Sequence, residues 1–246
     1  TALTVLSQKR KATEPEKETM SLYSGFGGIK EVLNISTEKP IPQSMEETAN
    51  RLLTVLGSFP TDKPQWCDTT IDSIKTSVLT AFYTPAFIIN AVARQIQATF
   101  KTHGLTMRTF LEPSAGIGGF LPVAMNGTKS YAFEKDTLTG IILSLLNDDT
   151  ETYTAGFESI GEQRLEHTSF DVIAPNIPFG NFRVVDADLW NKGGKHEQPT
   201  KTINNYSFGT LNGLAHDRGP ITFAPTRGIG PTTPNTSRRY PLRQTA

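Results

Sequence analysis

Phe110-Leu111-Glu112-Pro113-Ser114-Ala115-Gly116-Ile117-Gly118-Gly119-Phe120 is the stretch on which the fold turns: an apolar strand runs into a glycine-rich turn that opens a helix. Glycines let the backbone approach a ligand closely, and such a turn lies at the carboxyl end of a central strand, where open α/β sheets bind cofactors. On its own the turn is also readable as a tight structural bend. Working outward, Thr109 to Glu112 reads as a strand, followed by a helix from about Gly118 and a strand over Tyr131 to Glu134. A helix holding Leu138, Ile141, Ile142 and Leu145 comes next, then a strand near Thr152 and a strand over Phe170 to Ala174. Strands and helices that alternate with short connections predict parallel strands joined by right-handed crossovers, a doubly wound and mostly parallel α/β sheet.

Upstream of this block, Thr84-Pro85 places a cap and a first-turn proline before Phe87, Ile88, Val92 and Ile96, which recur at helical spacing. The grammar changes at about residue 77, so the expected division is 1–76, an N-terminal arm and helical region, and 77–246, the sheet domain with an irregular end. Residues 1 to about 20 are rich in Lys, Glu and Thr with few large apolar groups, and predict a tail or a loosely docked arm. A glycine-rich loop, Tyr23-Ser24-Gly25-Phe26-Gly27-Gly28, follows. Ser44-Met45-Glu46-Glu47 then reads as a capping box starting a helix that carries Leu52, Leu53 and Leu56. Past Gly219-Pro220, glycines and prolines dominate, with one strand expected at Ile221 to Ala224.

The chain has 246 residues, with 24 basic and 24 acidic side chains that cancel. No global field therefore draws it to nucleic acid, and DNA contact must come from a local patch or from a part outside the chain. Arg238-Arg239 with Tyr240 and Arg243 is either a phosphate contact or a solvated tail. Cys67 is the only cysteine, which excludes an internal disulfide and a multi-cysteine zinc site and fits a reducing cytosol. His103, His167, His196 and His216 are scattered, so no metal site is expected. No run approaches the roughly 20 apolar residues of a membrane span, the order of charges at the start is the reverse of a secretory signal, and the chain is expected to be cytoplasmic. It begins without a methionine, as a processed or trimmed chain would.

Two strings carry the chemistry. Glu134 ends the strand after the glycine turn, about twenty residues on, where nucleotide-binding sheets put the carboxylate that accepts hydrogen bonds from ribose hydroxyls; the alternative is a solvated strand-end glutamate. Asp136 either reaches an adenine amine or starts the following helix. The second string, Asp171-Val172-Ile173-Ala174-Pro175-Asn176-Ile177-Pro178-Phe179-Gly180, is an apolar strand delivering a polar and aromatic tip.

Glu112-Pro113-Ser114-Ala115-Gly116 resembles the first motif of amino-group methyltransferases, and Asn176-Ile177-Pro178-Phe179 resembles their Asn-Pro-Pro-Tyr/Phe motif, with Ile177 where the first proline is usual. Ala81-Phe82-Tyr83-Thr84-Pro85 resembles the segment that precedes the glycine turn in N6-adenine DNA methyltransferases of γ-type motif order. From about 77 to 185 the order of cofactor cap, glycine turn, carboxylate and Asn-x-Pro-Phe matches that class. Ser24-Gly25-Phe26-Gly27-Gly28 and Thr200-Lys201-Thr202-Ile203-Asn204-Asn205-Tyr206 resemble stretches of the large methylase-helicase proteins of bacterial mobile elements.

The resemblance implies a Rossmann-like sheet of a seven-stranded type that binds S-adenosylmethionine. Tyr83, Thr84 and Pro85 would stand at the cofactor's methionine end, together with Glu112, Pro113, Ser114, Ala115, Gly116 and Gly118. Glu134 and Lys135 would stand at the ribose, and Phe157 and Glu158 at the adenine, the alternative for Gly156-Phe157-Glu158 being loop packing. The Asn176 side-chain oxygen and the Ile177 carbonyl would hold the hydrogens of the base amine, next to Pro178, while Phe179 stacks on a flipped base.

The implied partner is double-stranded DNA, met through a recognition region outside this chain, with a fused or associated helicase or specificity module in a restriction-modification or mobile-element setting. After about 207 the resemblance stops: Gly213-Leu214-Ala215-His216-Asp217-Arg218-Gly219-Pro220 stands where the family continues with a helix, a strand and its target-recognition region. The same Asn-Pro-Pro-aromatic device serves any planar amide-like nitrogen. A methyltransferase of RNA bases or protein glutamine is therefore a second reading, and a non-catalytic cofactor-binding or DNA-docking module is a third.

Overall fold

A computed structural model describes residues 1–37, 39–78, 83–165 and 168–175. Among the described residues four parallel strands form one sheet: β1 (Thr109–Glu112), β2 (Lys129–Phe133), β3 (Thr150–Tyr153) and β4 (Val172–Ile173), in the order β3-β2-β1-β4. The register sets Phe110 beside Val172, Leu111 beside Tyr131 and Ile173, and Glu112 beside Ala132. The chain winds outward from β1 to β3 and then returns to the other side of β1. The order therefore reverses between β1 and β4, the switch point outside whose carboxyl ends a doubly wound sheet opens its ligand crevice. All four strands fall on the stretches expected of them, and the fold is the expected parallel α/β sheet flanked by helices.

Strand side chains alternate between the two faces. Phe110 and Val172 join Ile89, Ala93, Ile96 and Phe100 of α5 (Ala86–Thr102) on one face, where Ala132 also meets Leu143 of α6 (Thr137–Leu146). Leu111, Tyr131, Phe133 and Ile173 face the other way, onto Phe157, Ile160, Leu165 and Phe170. β1, β2 and β4 are buried apart from their first residues Thr109 and Lys129, as the inner strands of a parallel sheet are, while the edge strand β3 is half-buried with Glu151 exposed.

Helix termini differ from the sequence reading in three places. The crossover from β1 to β2 is a turn and a short 3-10 helix, Leu121–Val123, rather than a helix from Gly118. Gly118 sits at φ +93° and Gly127 at φ +82°, and with Gly119 and Pro122 between them a regular helix has no uninterrupted run of formers. Ser44 caps nothing: it lies inside the 3-10 helix Gln43–Met45, and α3 (Glu46–Gly57) starts from Met45 without a side-chain cap. Pro85, in place of Thr84, is the residue preceding α5, so the helix starts one position later than expected, and no side chain caps that end.

The larger correction concerns residues 1–20, which are not a loose arm. They form α1 (Ala2–Ser7) and α2 (Glu14–Ser21), with Leu3, Val5 and Met20 buried. The cause lies in α6, whose sequence is apolar nearly all round: one side covers the sheet, and another needs a cover of its own. Val5, Ala12 and Met20 pack on Ile142 and Leu145, while Leu3 joins Leu56 of α3 and Ile71 of α4 (Trp66–Ser77) against Leu138 and Ile141. Polar contacts fix the register. Glu16 reaches back to the Thr13 N–H (2.9 Å) and is forked by the Arg10 guanidinium, and Lys17 pairs with Asp148 beyond α6 (2.9 Å).

Candidate cofactor crevice

At the end of β1 the Glu112 side chain turns inward and is only 1% exposed. Its Oε1 accepts from the Phe120 N–H (3.0 Å), while Oε2 has no partner. Burial drives its pKa well above the usual carboxylate range; the Phe120 N–H opposes this and the charge of Glu134 adds to it. The turn that follows is tied to the neighbouring strand by Ala115 N–H to Phe133 C=O (2.8 Å). Gly116 has φ +57°, and a Cβ there would stand 2.9 Å from Cε1 of Tyr83. Position 116 thus requires glycine twice over, for its backbone and for the ring laid against it.

Glu134 closes the loop from the end of β2. Its Oε2 accepts from Gly116 N–H and its Oε1 from Asp136 N–H, both at 2.8 Å. Burial pushes its pKa up to about 7 even though these N–H groups favour the charged form, and the neighbouring Asp136 charge adds to the rise. Glu134 therefore stands at the glycine turn, the place expected of a ribose acceptor, and each of its oxygens retains a second lone pair. Tyr83 is 38% exposed; partial burial, with Tyr23, Glu134 and Asp136 nearby, raises its hydroxyl pKa and keeps it a donor.

Of the two readings of Asp136, the structure takes the helix start. Asp136 is 2% exposed, and its Oδ1 accepts from the Thr139 N–H (2.8 Å) and hydroxyl (2.6 Å) at the head of α6. Lys135 pairs with Glu158 across the strand ends at 2.7 Å. Phe157 is spent on packing: it is buried edge-on to Phe133, with ring centroids 5.6 Å apart. Gly118 is closed in by Leu121 and Asn147, to which a Cβ would approach within 2.9 Å.

Tyr83, Glu112, Gly116 and Glu134 are thus brought together around the glycine turn, with Ala115 and Gly118 holding its shape. Asn176, Ile177, Pro178 and Phe179 lie outside the described residues. The strand leading to them is fixed, since Ala174 N–H donates to Leu111 C=O (3.0 Å) and Asp171 anchors the start of β1 through Arg108 N–H (2.7 Å). Sequence reasoning missed Tyr23 and Ser73. The Tyr23 hydroxyl lies 3.3 Å from Thr139 Oγ1, and the Ser73 hydroxyl donates to Asp136 Oδ2 (3.1 Å). The glycine-rich run after Tyr23 was a visible signal, but nothing in it pointed to a partner 116 positions away.

Among the described residues no group of three or more His, Cys, Asp or Glu could hold a metal ion, and no helix is long and apolar enough to cross a membrane. No protein-family model matches the chain. Over 108 residues, 43% of its length, it is 32% identical to the defense against restriction protein B of Escherichia phage P1, of which the match spans 5%. Its structure is similar to a class I S-adenosylmethionine-dependent methyltransferase of Listeria monocytogenes, with TM-score 0.47 and 15% identity over 90% of this chain and 72% of that one. It is also similar to a type I restriction-modification methyltransferase subunit of Streptococcus thermophilus, with TM-score 0.44 and 14% identity over 90% and 61% of the two chains.

Proposed function

We propose that the chain is the S-adenosylmethionine-binding domain of a DNA methyltransferase that modifies the N6 amine of adenine. The observation that carries this reading is the loop closed by Glu134 on Gly116 at the carboxyl ends of β2 and β1, beside the switch point between β1 and β4, where a carboxylate meets a glycine turn. The residues there fit the cofactor. Gly116 lacks the Cβ that would narrow the turn, Glu112 holds a buried oxygen without a partner, and Glu134 offers two oxygens to ribose hydroxyls. Tyr83 supplies a hydroxyl and a ring face at the methionine end.

Bound there, S-adenosylmethionine supplies an electrophilic methyl group on a sulfonium. The protein's own task is then positioning, because transfer to a nitrogen depends on in-line placement more than on a strong base. An exocyclic base amine is a poor nucleophile while its lone pair is delocalised, so Asn176 and the Ile177 carbonyl hold its hydrogens as the nitrogen becomes tetrahedral. Phe179 stacks on the base after it leaves the duplex. Ile177 keeps the carbonyl that a proline would provide, with a freer backbone.

The similar stretch in a phage protein named for defense against restriction supports a mobile-element setting, and partner modules for target recognition or DNA translocation belong to the same proposal. Ile177 also favours a second reading, a cofactor-binding or DNA-docking module without catalysis. Calorimetric titration with S-adenosylmethionine and methyl transfer to adenine-containing duplexes, measured separately, divide the two. Binding with transfer supports the enzyme, binding without transfer supports a non-catalytic cofactor-binding module, and no binding overturns the enzyme and leaves only DNA docking.

A further inference from the structure

Capping α6 needs only the Thr139 N–H on Asp136, yet both carboxylate oxygens of Asp136 are engaged by further groups, and these trace back to the N-terminal helices. Ser73 of α4 donates to Asp136 Oδ2 (3.1 Å) and accepts from the Thr137 N–H (2.9 Å), so it is wedged into the first turn of α6. Thr139 Oγ1 spends its single hydrogen on Asp136 Oδ1 (2.6 Å), which leaves a lone pair for the Tyr23 hydroxyl at 3.3 Å. Tyr23 is held in turn against the cluster of Val5, Ala12, Met20 and Ile142, and edge-on to Phe26 at 6.4 Å. Asp136, fixed from both sides, aims its backbone N–H at Glu134 Oε1 (2.8 Å).

We propose that Tyr23 and Ser73 are positioning residues for Glu134, acting through Asp136, so that the N-terminal helices form part of the cofactor site. The inference rests on Glu134 being the cofactor's ribose acceptor. The charged and titratable groups around Glu134 are Glu112 from β1, Tyr83 ahead of α5, Tyr23 from the N-terminal region, and Asp136, with the Lys135–Glu158 pair on the strand-end rim. Among the contacts that favour its charged form, the Asp136 N–H is the largest, so loosening Asp136 makes Glu134 harder to ionise.

The test is a carboxyl-carbon NMR titration of Glu134 in the full chain, for the parent, Tyr23→Phe, Ser73→Ala and Ser73→Thr, with the resonance assigned by Glu134→Gln. The parent midpoint falls at about 7. Tyr23→Phe and Ser73→Ala raise it by about half a unit or more, roughly a twofold loss of ionised Glu134 at pH 7, and Ser73→Thr, which keeps the hydroxyl, restores it. Calorimetry with S-adenosylmethionine gives the second readout. The two hydroxyl deletions weaken binding about twofold near pH 7 and leave it unchanged near pH 9, where Glu134 is ionised in every variant.

An unmoved Glu134 midpoint, or an affinity loss equal at both pH values, overturns the inference. If Ser73→Ala does not fold, Tyr23→Phe and Ser73→Thr decide it alone. If the parent binds no S-adenosylmethionine, the functional reading fails, while the NMR midpoints still decide whether Tyr23 and Ser73 position Glu134.

Discussion

Replacing Glu134 by Gln removes the charge at the centre of the crevice and keeps the shape. In the parent, one carboxylate oxygen accepts from Gly116 N–H and the other from Asp136 N–H, both at 2.8 Å. An amide has one acceptor oxygen in place of two, so one of these N–H groups loses its partner, and ribose hydroxyls meet a neutral group. Hydrogen bonds to charged acceptors contribute about 1.5–3 kcal/mol, so cofactor affinity falls roughly 10-fold to 150-fold. With a midpoint at about 7, the ionised fraction of Glu134 rises from about one tenth at pH 6 to about nine tenths at pH 8. Apparent affinity of the parent then improves about tenfold across that window, because the competent fraction scales the dissociation constant. Glu134→Gln flattens the profile. The assay is calorimetric titration with S-adenosylmethionine at pH 6, 7 and 8, and equal affinities for parent and variant with no pH dependence refute the ribose-acceptor assignment.

Gly116→Ala places a methyl 2.9 Å from Tyr83 Cε1 at a left-handed backbone position, costing about 1–2 kcal/mol, read as a lower denaturant midpoint; adding Tyr83→Ala relieves the clash and leaves the backbone part. Met20→Ala, at a 4% exposed position, costs about 2–5 kcal/mol by cavity formation, whereas a loosely docked arm would show no change in the same denaturation. Stability itself falls as pH rises from about 4.5 to about 7, checked by thermal unfolding at several pH values. The folded pKa of Glu134 is raised, so the folded state holds more protons than the unfolded one in that window, and raising pH favours unfolding there. Glu112, shifted the same way, adds to that slope.

The sheet was legible because its code is local. Thr109 to Glu112 is an apolar run stopped by Pro113 and glycines, and Glu134 stands one crossover later at the end of the next strand, so the pairing of turn and carboxylate followed from spacing alone. The N-terminal helices were not legible, since the reason they order lies elsewhere: α6 carries more apolar surface than the sheet can cover, and Leu3, Val5 and Met20 read as too few until that face is known to need a partner. Ser44 shows the opposite error, a capping pattern overridden by a 3-10 turn already wound through it. Asp136 could have been a ligand contact or a cap by its sequence, and only the position of Thr139 and Ser73 separates the two. Tyr23 and Ser73 were invisible because a hydroxyl that acts 60 to 120 positions away leaves no periodic signal.

Catalysis by the Asn176 motif is tested by single-turnover transfer from radiolabelled S-adenosylmethionine onto adenine-containing duplexes, for the parent and for Asn176→Ala. With the parent, label is expected in N6-methyladenine after digestion to nucleosides. In the variant, the rate falls by about 10²–10³ while calorimetric cofactor affinity stays within a few-fold of the parent. Transfer by Asn176→Ala at a rate near the parent's, or a parent that binds cofactor and places no label on adenine, contradicts it.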